Sequence, residues 1–153
     1  MPRRLVIIPT FNESSNIEEL LRRLFKYIPD ISVLVIDDNS PDGTSELCHR
    51  LQSRYPELHI YRRDMKLGLG SAYRLGFAWG LERGYSELIE MDADHSHRVR
   101  DLAAMLDLLG HSFAIDRSRV FVAIRPHPET GCLRVSVVDD GPGLDPGRSA
   151  HLF

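Results

Sequence analysis

The chain reads as an α/β protein, a mostly parallel sheet with flanking helices followed by a short β-hairpin-like tail, and three observations lead there. Short apolar runs rich in β-branched residues alternate with segments of helical periodicity as far as about residue 109, the pattern of buried parallel strands joined by crossover helices. Three of these runs end in polar loops crowded with Asp, Asn, Ser, Thr or Pro. The third observation is the stretch Glu87 to His97, ELIEMDADHSH, where an apolar run ends in two carboxylates, Asp92 and Asp94, one residue apart.

In chain order, Arg4 to Pro9 is an apolar run that predicts a buried strand, and it ends in Pro9-Thr10-Phe11-Asn12-Glu13. Ser15-x-x-Glu18 then has the form of a capping box, and Ile17, Leu20, Leu21, Leu24 and Ile28 recur at helical spacing until Pro29 stops the helix. Val33 to Ile36 repeats the strand pattern and ends in Asp37-Asp38-Asn39-Ser40-Pro41-Asp42-Gly43-Thr44, a loop of turn residues. A helix with Leu47 and Leu51 inward follows, with Pro56 beyond its end, then a short strand around His59 to Tyr61. Next comes a helix from about Ser71 to Arg83, with Gly84 as its stop. Ala72, Gly76 and Gly80 stand four residues apart on it, so one face carries almost no side chain. Because an interior Gly costs about 1 kcal/mol relative to Ala, that face is expected to lie close against the sheet rather than against a ligand. The run bearing Asp92 and Asp94 follows, and Val99 to Leu109 is a further amphipathic helix through Leu102, Met105, Leu106 and Leu109.

Composition excludes several function classes. The 153 residues carry 19 Lys and Arg against 22 Asp and Glu, a formal charge of −3, so no basic groove for nucleic acid is expected. No apolar run approaches the roughly 20 residues of a membrane span, and the Met-Pro-Arg-Arg start shows no signal-type apolar region. The expectation is a cytoplasmic chain with no transmembrane segment, at most peripheral on the cytosolic membrane face. Cys48 and Cys132 lack a CxxC partner, which argues against a disulfide framework or a thiolate zinc site.

In a parallel sheet the carboxyl ends of the strands share one edge, and ligands bind in the crevice outside it. Three such ends, Pro9 to Glu13, Asp37 to Thr44 and Asp92 to His97, therefore converge. If the last run is a strand, its period of two places Asp92 and Asp94 on one side as the chain leaves the sheet, where a hard divalent cation and a phosphorylated ligand can share them. A lone pair of this kind serves equally well as a helix cap and a solvated acid. The same parity turns His95 and His97 the other way, toward capping or support rather than ligation.

The motifs PTFNE, VLVIDDNSPDGT, KLGLGSAYRLGF and EMDADHSH, in this order and at these spacings, resemble family-two glycosyltransferases of the GT-A fold, a Rossmann-like architecture, and among them the dolichyl- or polyprenyl-phosphate mannosyltransferases. The resemblance covers about Arg4 to Leu109. It implies transfer of a mannosyl or related group from GDP-mannose to a lipid-linked phosphate at a membrane surface, with Mg²⁺ or Mn²⁺ and with inversion at the sugar carbon. Carried over by position, Pro9, Phe11, Glu13, Asp37 and Asp38 line the nucleotide pocket, with Lys66 and the turn Gly68-Leu69-Gly70 nearby. Asp92 and Asp94 match the DxD aspartates that hold the metal and carry the catalysis, and Ser96 stands where some relatives present a third metal contact.

Two departures accompany the resemblance. Arg98-Val99 replaces a Pro usual in relatives, and from Gly110 the strand leading to a Ser-Arg-Tyr motif and the acceptor-side region are not found. The resemblance is thus to a truncated GT-A domain, residues 1–109 forming the nucleotide-sugar half and residues 110–153 an unrelated segment, with a junction near Leu109 to Arg119. Arg119 to Ile124 and Leu133 to Val138 predict two strands joined by a hairpin-like connection over Arg125 to Gly131. The strands are expected to pair with the exposed sheet edge. Asp139-Asp140-Gly141-Pro142-Gly143-Leu144-Asp145-Pro146 resembles the first glycine box of a histidine-kinase-type ATPase domain, with Asp139 at the adenine-reading position; the bland reading is a Gly/Pro-rich turn and loose tail. Two alternatives to a mannosyltransferase follow: a nucleotide-binding fragment without turnover, and an ATPase fragment.

Overall fold

The computed structural model describes residues 3–95, 98–110, 120–126 and 133–139. Its elements run β1 (Arg4–Thr10), α1 (Ile17–Tyr27), β2 (Ile31–Asp37), α2 (Thr44–Leu51), β3 (Leu58–Arg62), α3 (Leu69–Glu82), β4 (Glu87–Glu90), α4 (Val99–Gly110), β5 (Val120–Pro126) and β6 (Leu133–Asp139). The strand order is β3-β2-β1-β4-β5-β6. The first four strands are mutually parallel, with Leu5 opposite Ser32 on one side and Leu88 on the other.

The period of two along β1 sorts the core. Val6 and Ile8 point into a cluster with Ile17, Leu20, Leu21 and Leu24 of α1, Cys48 of α2 and Leu102 and Leu106 of α4. Leu5 and Ile7 point to the opposite face, where Ala72, Tyr85 and Leu88 pack with partly buried Tyr73, Leu75, Phe77 and Trp79 of α3. Thus α1, α2 and α4 cover one face, and α3 the other. Each buried Leu or Ile contributes roughly 1.5–3 kcal/mol.

The small-residue face of α3 lies on the sheet as the sequence predicts. A Cβ added at Gly76 would stand 2.5 Å from Ile7 Cγ2, and one at Gly80 would stand 2.6 Å from Leu88 Cδ2. Past Arg83 the chain turns at Gly84 with φ +74°; Gly84 N–H donates to Leu81 O and Tyr85 N–H to Gly80 O, which satisfies carbonyls the helix end leaves open. Arg4 and Glu87, opposite each other on β1 and β4, form an ion pair at 2.9 Å.

The expected capping box does not form. Ser15 lies in the turn before α1, Asn16 is the N-cap residue, and no side chain caps it. The backbone of Glu13 supplies the first bond instead, accepting from Asn16 N–H at 3.0 Å and Ile17 N–H at 2.9 Å. The turn is held from outside: Asn12 N–H donates to Ser40 Oγ, Glu13 N–H to Thr44 Oγ1 and Ser14 N–H to Asp42 Oδ2.

Beyond α4, β5 pairs antiparallel with β4, Leu88 opposite Ile124, and β6 pairs antiparallel with β5. The two strands therefore extend the open edge of β4. Within the hairpin-like connection the stretch from residue 127, and likewise the glycine-rich run 140–146 and the tail after it, lie outside the described residues.

Candidate active site

The carboxyl ends of β1, β2 and β4, with the β3–α3 loop, enclose a cavity of about 360 Å³ lined by Pro9, Thr10, Phe11, Glu13, Asp38, Lys66, Gly68, Leu69, Asp92, Ala93 and Asp94. Of the residues singled out from sequence, Pro9, Phe11, Glu13, Asp38, Lys66, Gly68, Asp92 and Asp94 are brought together here. Among the described residues, each of the three strand-end loops contains one non-glycine residue in the left-handed region: Asn12 (φ 60°), Asn39 (φ 56°) and His95 (φ 63°). Such conformations are uncommon outside glycine and concentrate where a backbone is held for a purpose.

Asp37 and Gly70 are not on the cavity wall, and strand parity explains the first. Asp37 continues the Val33, Val35 side of β2, which faces α1 and α2. Its buried carboxylate accepts from Thr10 Oγ1 at 2.8 Å, Ser40 N–H at 2.9 Å and Ser40 Oγ at 2.5 Å. Asp38 points the opposite way. It pairs with the buried guanidinium of Arg63 and accepts from Leu67 N–H (3.1 Å) and Gly68 N–H (3.2 Å). Arg63 in turn donates to Ser71 Oγ at 2.5 Å and to Gly68 O at 3.0 Å. Arg63 and Asp38 together fix the loop that presents Lys66 and Gly68. Gly68 has φ +86° and ψ 162°, a backbone that favours glycine, immediately before α3 begins. Gly70 sits in the first turn of α3.

Lys66 Nζ stands 4.0 Å from the centroid of the Phe11 ring, a cation–π contact between the loops after β3 and β1. The N-terminus of the 14-residue α3 opens at Gly68 and Leu69 on the same cavity; unsatisfied N–H groups and the helix dipole there favour an anion.

Asp92 and Asp94 lie beyond the end of β4, whose alternation continues into the loop. Met91 and Ala93 pack on the α1 side, while Asp92 meets α3, where Tyr73 Oη donates to its Oδ1 at 3.0 Å. Burial, then the negative charge of Asp92, push the Tyr73 hydroxyl well above the ordinary tyrosine range, so it stays a donor. Burial, followed by Asp92, likewise raises the Glu90 carboxyl. Asp94 is exposed and His95 half-buried. Ser96, expected as a third metal contact, lies outside the described residues, as does His97.

Asp92 and Asp94 offer hard carboxylate oxygens, the donor type that Mg²⁺ and Mn²⁺ take. Among the described residues no group of three or more His, Cys, Asp or Glu is arranged to hold an ion. Two carboxylates do not cage a divalent cation, but they suit one that keeps waters and is shared with a ligand's phosphates. The donor set therefore fits such a metal.

Leu69, expected near the pocket as part of the Gly68 to Gly70 turn, lies in the wall; sequence reasoning did not single out Thr10 and Ala93 in the wall, or Arg63 and Tyr73 behind it. Arg63 stands in Arg62-Arg63-Asp64, which reads as solvated charge, and Tyr73 carries no spacing signal on α3. Among the described residues no helix is long and apolar enough to cross a membrane.

Residues 5–124 match the family model of glycosyl transferase family 2, a match that runs past α4 through most of β5. The chain is 49% identical over 106 residues to a polyprenol monophosphomannose synthase of Mycolicibacterium smegmatis, covering 69% of this chain and 40% of that protein. It is 48% identical over 105 residues to an undecaprenyl-phosphate mannosyltransferase of Micrococcus luteus, covering 69% of this chain and 43% of that protein. The chain thus spans less than half the length of these relatives. Its fold is similar to that of a mannosyltransferase from Pyrobaculum calidifontis in complex with GDP-Man and Mn²⁺, with a TM-score of 0.61 at 25% identity over 76% of this chain and 36% of that one.

Proposed function

The chain belongs to glycosyl transferase family 2, and from that premise we propose that it forms the donor-binding half of a metal-dependent transferase that moves a mannosyl group from GDP-mannose to a polyprenyl or dolichyl phosphate. The observation that carries this reading is the convergence of Pro9, Phe11, Glu13, Asp38, Lys66, Gly68, Asp92 and Asp94 on one cavity. The names of the relatives and the GDP-Man and Mn²⁺ of the structural neighbour support the donor and acceptor classes.

In this reading Pro9, Phe11, Glu13 and Asp38 hold the nucleoside, with Asp37 bracing the loop from beneath. Lys66 and the Gly68 to Gly70 turn at the head of α3 face the diphosphate. Asp92 and Asp94 would hold Mn²⁺ or Mg²⁺. The bound ion supplies Lewis-acid neutralisation of the departing diphosphate. An acceptor phosphate monoester has its second pKa near about 6 and is mostly ionised at neutral pH, so the side chains need not abstract a proton from it. One of its oxygens bonds to the anomeric carbon on the face opposite the nucleotide. The bond from that carbon to the diphosphate oxygen breaks, GDP leaves with the electron pair, and the configuration inverts. With such an acceptor the reaction would take place at a membrane surface, which the protein would meet as a peripheral contact.

Titration calorimetry tests this. GDP-mannose is expected to bind saturably with Mn²⁺, to bind weakly in EDTA or to Asp94→Ala, and to resist competition by ATP. Absence of metal-dependent binding by folded protein would sink the proposal. Transfer to a polyprenyl phosphate then distinguishes turnover from binding alone.

A further inference from the structure

We infer that Tyr73 is the positioning residue for Asp92, its hydroxyl fixing the carboxylate that faces the cavity; this rests on the metal-dependent reading above. Asp92 stands two residues beyond the last residue of β4. Among the described residues the last backbone bond that ties its segment to the sheet is Met91 N–H to Ile7 O, at 3.1 Å. Beyond that point no strand ladder orients the side chain, and an aspartate left to itself samples several χ1 wells. The hydrogen bond from Tyr73 at 3.0 Å to Oδ1 selects one of them and leaves Oδ2 for a ligand.

Tyr73 can do this because its own position is fixed. Its ring packs on the cluster of Leu5, Ile7, Leu34 and Ile36 and lies 6.3 Å from the Phe77 ring, inclined by 20°. One turn further along α3, Gly76 rests directly on Ile7 and Ile36, which sets the height of the helix above the sheet and hence how far the phenol extends. Hydrogen bonds of this kind, from a neighbour to a carboxylate that binds metal, orient the ligand and commonly govern metal affinity.

The test uses the full chain, with GDP and Mn²⁺ as probes, and reads the ratio of GDP affinity in Mn²⁺ to that in EDTA. Tyr73→Phe keeps the ring and removes the hydroxyl. It should leave the EDTA affinity within about twofold of wild type and lower the Mn²⁺-dependent gain by about 10–100-fold. On an Asp92→Asn background the same substitution should cause no further loss. Tyr85→Phe, which removes a phenol hydroxyl from the same cluster but one that faces His59 rather than Asp92, should keep the gain. A gain in Tyr73→Phe equal to wild type would overturn the inference, as would an equal loss in Tyr85→Phe. So would a Tyr73→Phe chain that no longer folds, since the hydroxyl would then be a structural necessity. If wild-type protein itself shows no Mn²⁺-dependent gain, the transferase reading falls and this inference with it.

Discussion

Arg63 and Asp38 form an ion pair with both side chains less than a tenth exposed, while the neighbouring Arg62 pairs with Glu46 at the surface with about half of each side chain in water. Breaking a buried pair strands a charge and typically costs about 3–5 kcal/mol, whereas an exposed pair contributes about 0–1 kcal/mol. Arg63→Met is therefore expected to lower the urea midpoint strongly and to weaken GDP binding through the loop that carries Lys66. Arg62→Met should change stability by less than about 1 kcal/mol. Equal midpoints for the two variants would contradict this account.

Gly76→Ala and Gly80→Ala separate two kinds of close approach. Each gains about 1 kcal/mol of helix propensity and pays about 1–3 kcal/mol for overpacking. At Gly76 the nearest atom is Ile7 Cγ2, at 2.5 Å, attached to a β-branched carbon with restricted χ1 freedom. At Gly80 the nearest atoms are Leu88 Cδ2 and Leu5 Cδ2, at 2.6 and 2.9 Å, both at the ends of longer side chains. Thermal melts should show Gly76→Ala the more destabilised, and the reverse order would argue against rigid packing at Ile7.

Asp42 is the acid-sensitive clasp between two site loops. Slight burial works to raise its carboxyl, but hydrogen bonds from Thr44 and Ser14 outweigh it and hold the pKa down to about 2. The folded value lies below the unfolded one, so its contribution is present above about pH 4 and is lost as pH falls toward 2. Asp42→Ala should lower stability at pH 7 by about 1 kcal/mol, the usual scale for losing such side-chain-to-backbone bonds. The difference from wild type should shrink in melts recorded between pH 4 and 2.

Cys48 sits fully buried in the α1–α2 core. Burial, then the charge of Asp37, push its thiol up to about 12. The folded value exceeds the unfolded one, so this group leaves stability intact below about pH 8.5 and reduces it as pH rises toward 12. At pH 8 alkylation should follow global opening; peptide-level mass spectrometry, which separates Cys48 from Cys132, should show its rate rising with urea. Rapid labelling of the folded chain would contradict the burial.

The parallel βαβ order was legible because buried strands and amphipathic helices leave different periods, and the convergence of Pro9 to Glu13 with Asp92 and Asp94 follows from parallel topology. What was not legible depends on partners distant in sequence. Ser15 and Glu18 satisfy a local capping pattern, yet Ser40, Asp42 and Thr44 hold residues 12–14 in a turn that starts α1 at Ile17. Asp37 and Asp38 are chemically identical neighbours, and one step of strand parity sends the first into the core and the second to the cavity wall. Arg63 becomes distinctive only when Asp38, Ser71 and Gly68 surround it.

The strand order also has a kinetic meaning. β3 lies at one side of the sheet and β4 beyond β1, so α3 carries the chain past two strands before the aspartates arrive. Leu5 meets Ser32 on β2 and Leu88 on β4, and the second pairing closes a loop about three times longer, which costs about 1 kcal/mol more. The pairing of β1 with β2 is therefore expected to form first during refolding, and the half of the cavity with Asp92 and Asp94 to be completed last. Pulse-labelling hydrogen exchange would show this as earlier protection of Val33 to Val35 than of Leu88 and Ile89, so that a chain halted partway would hold the loops after β1 and β2 without Asp92 and Asp94 beside them.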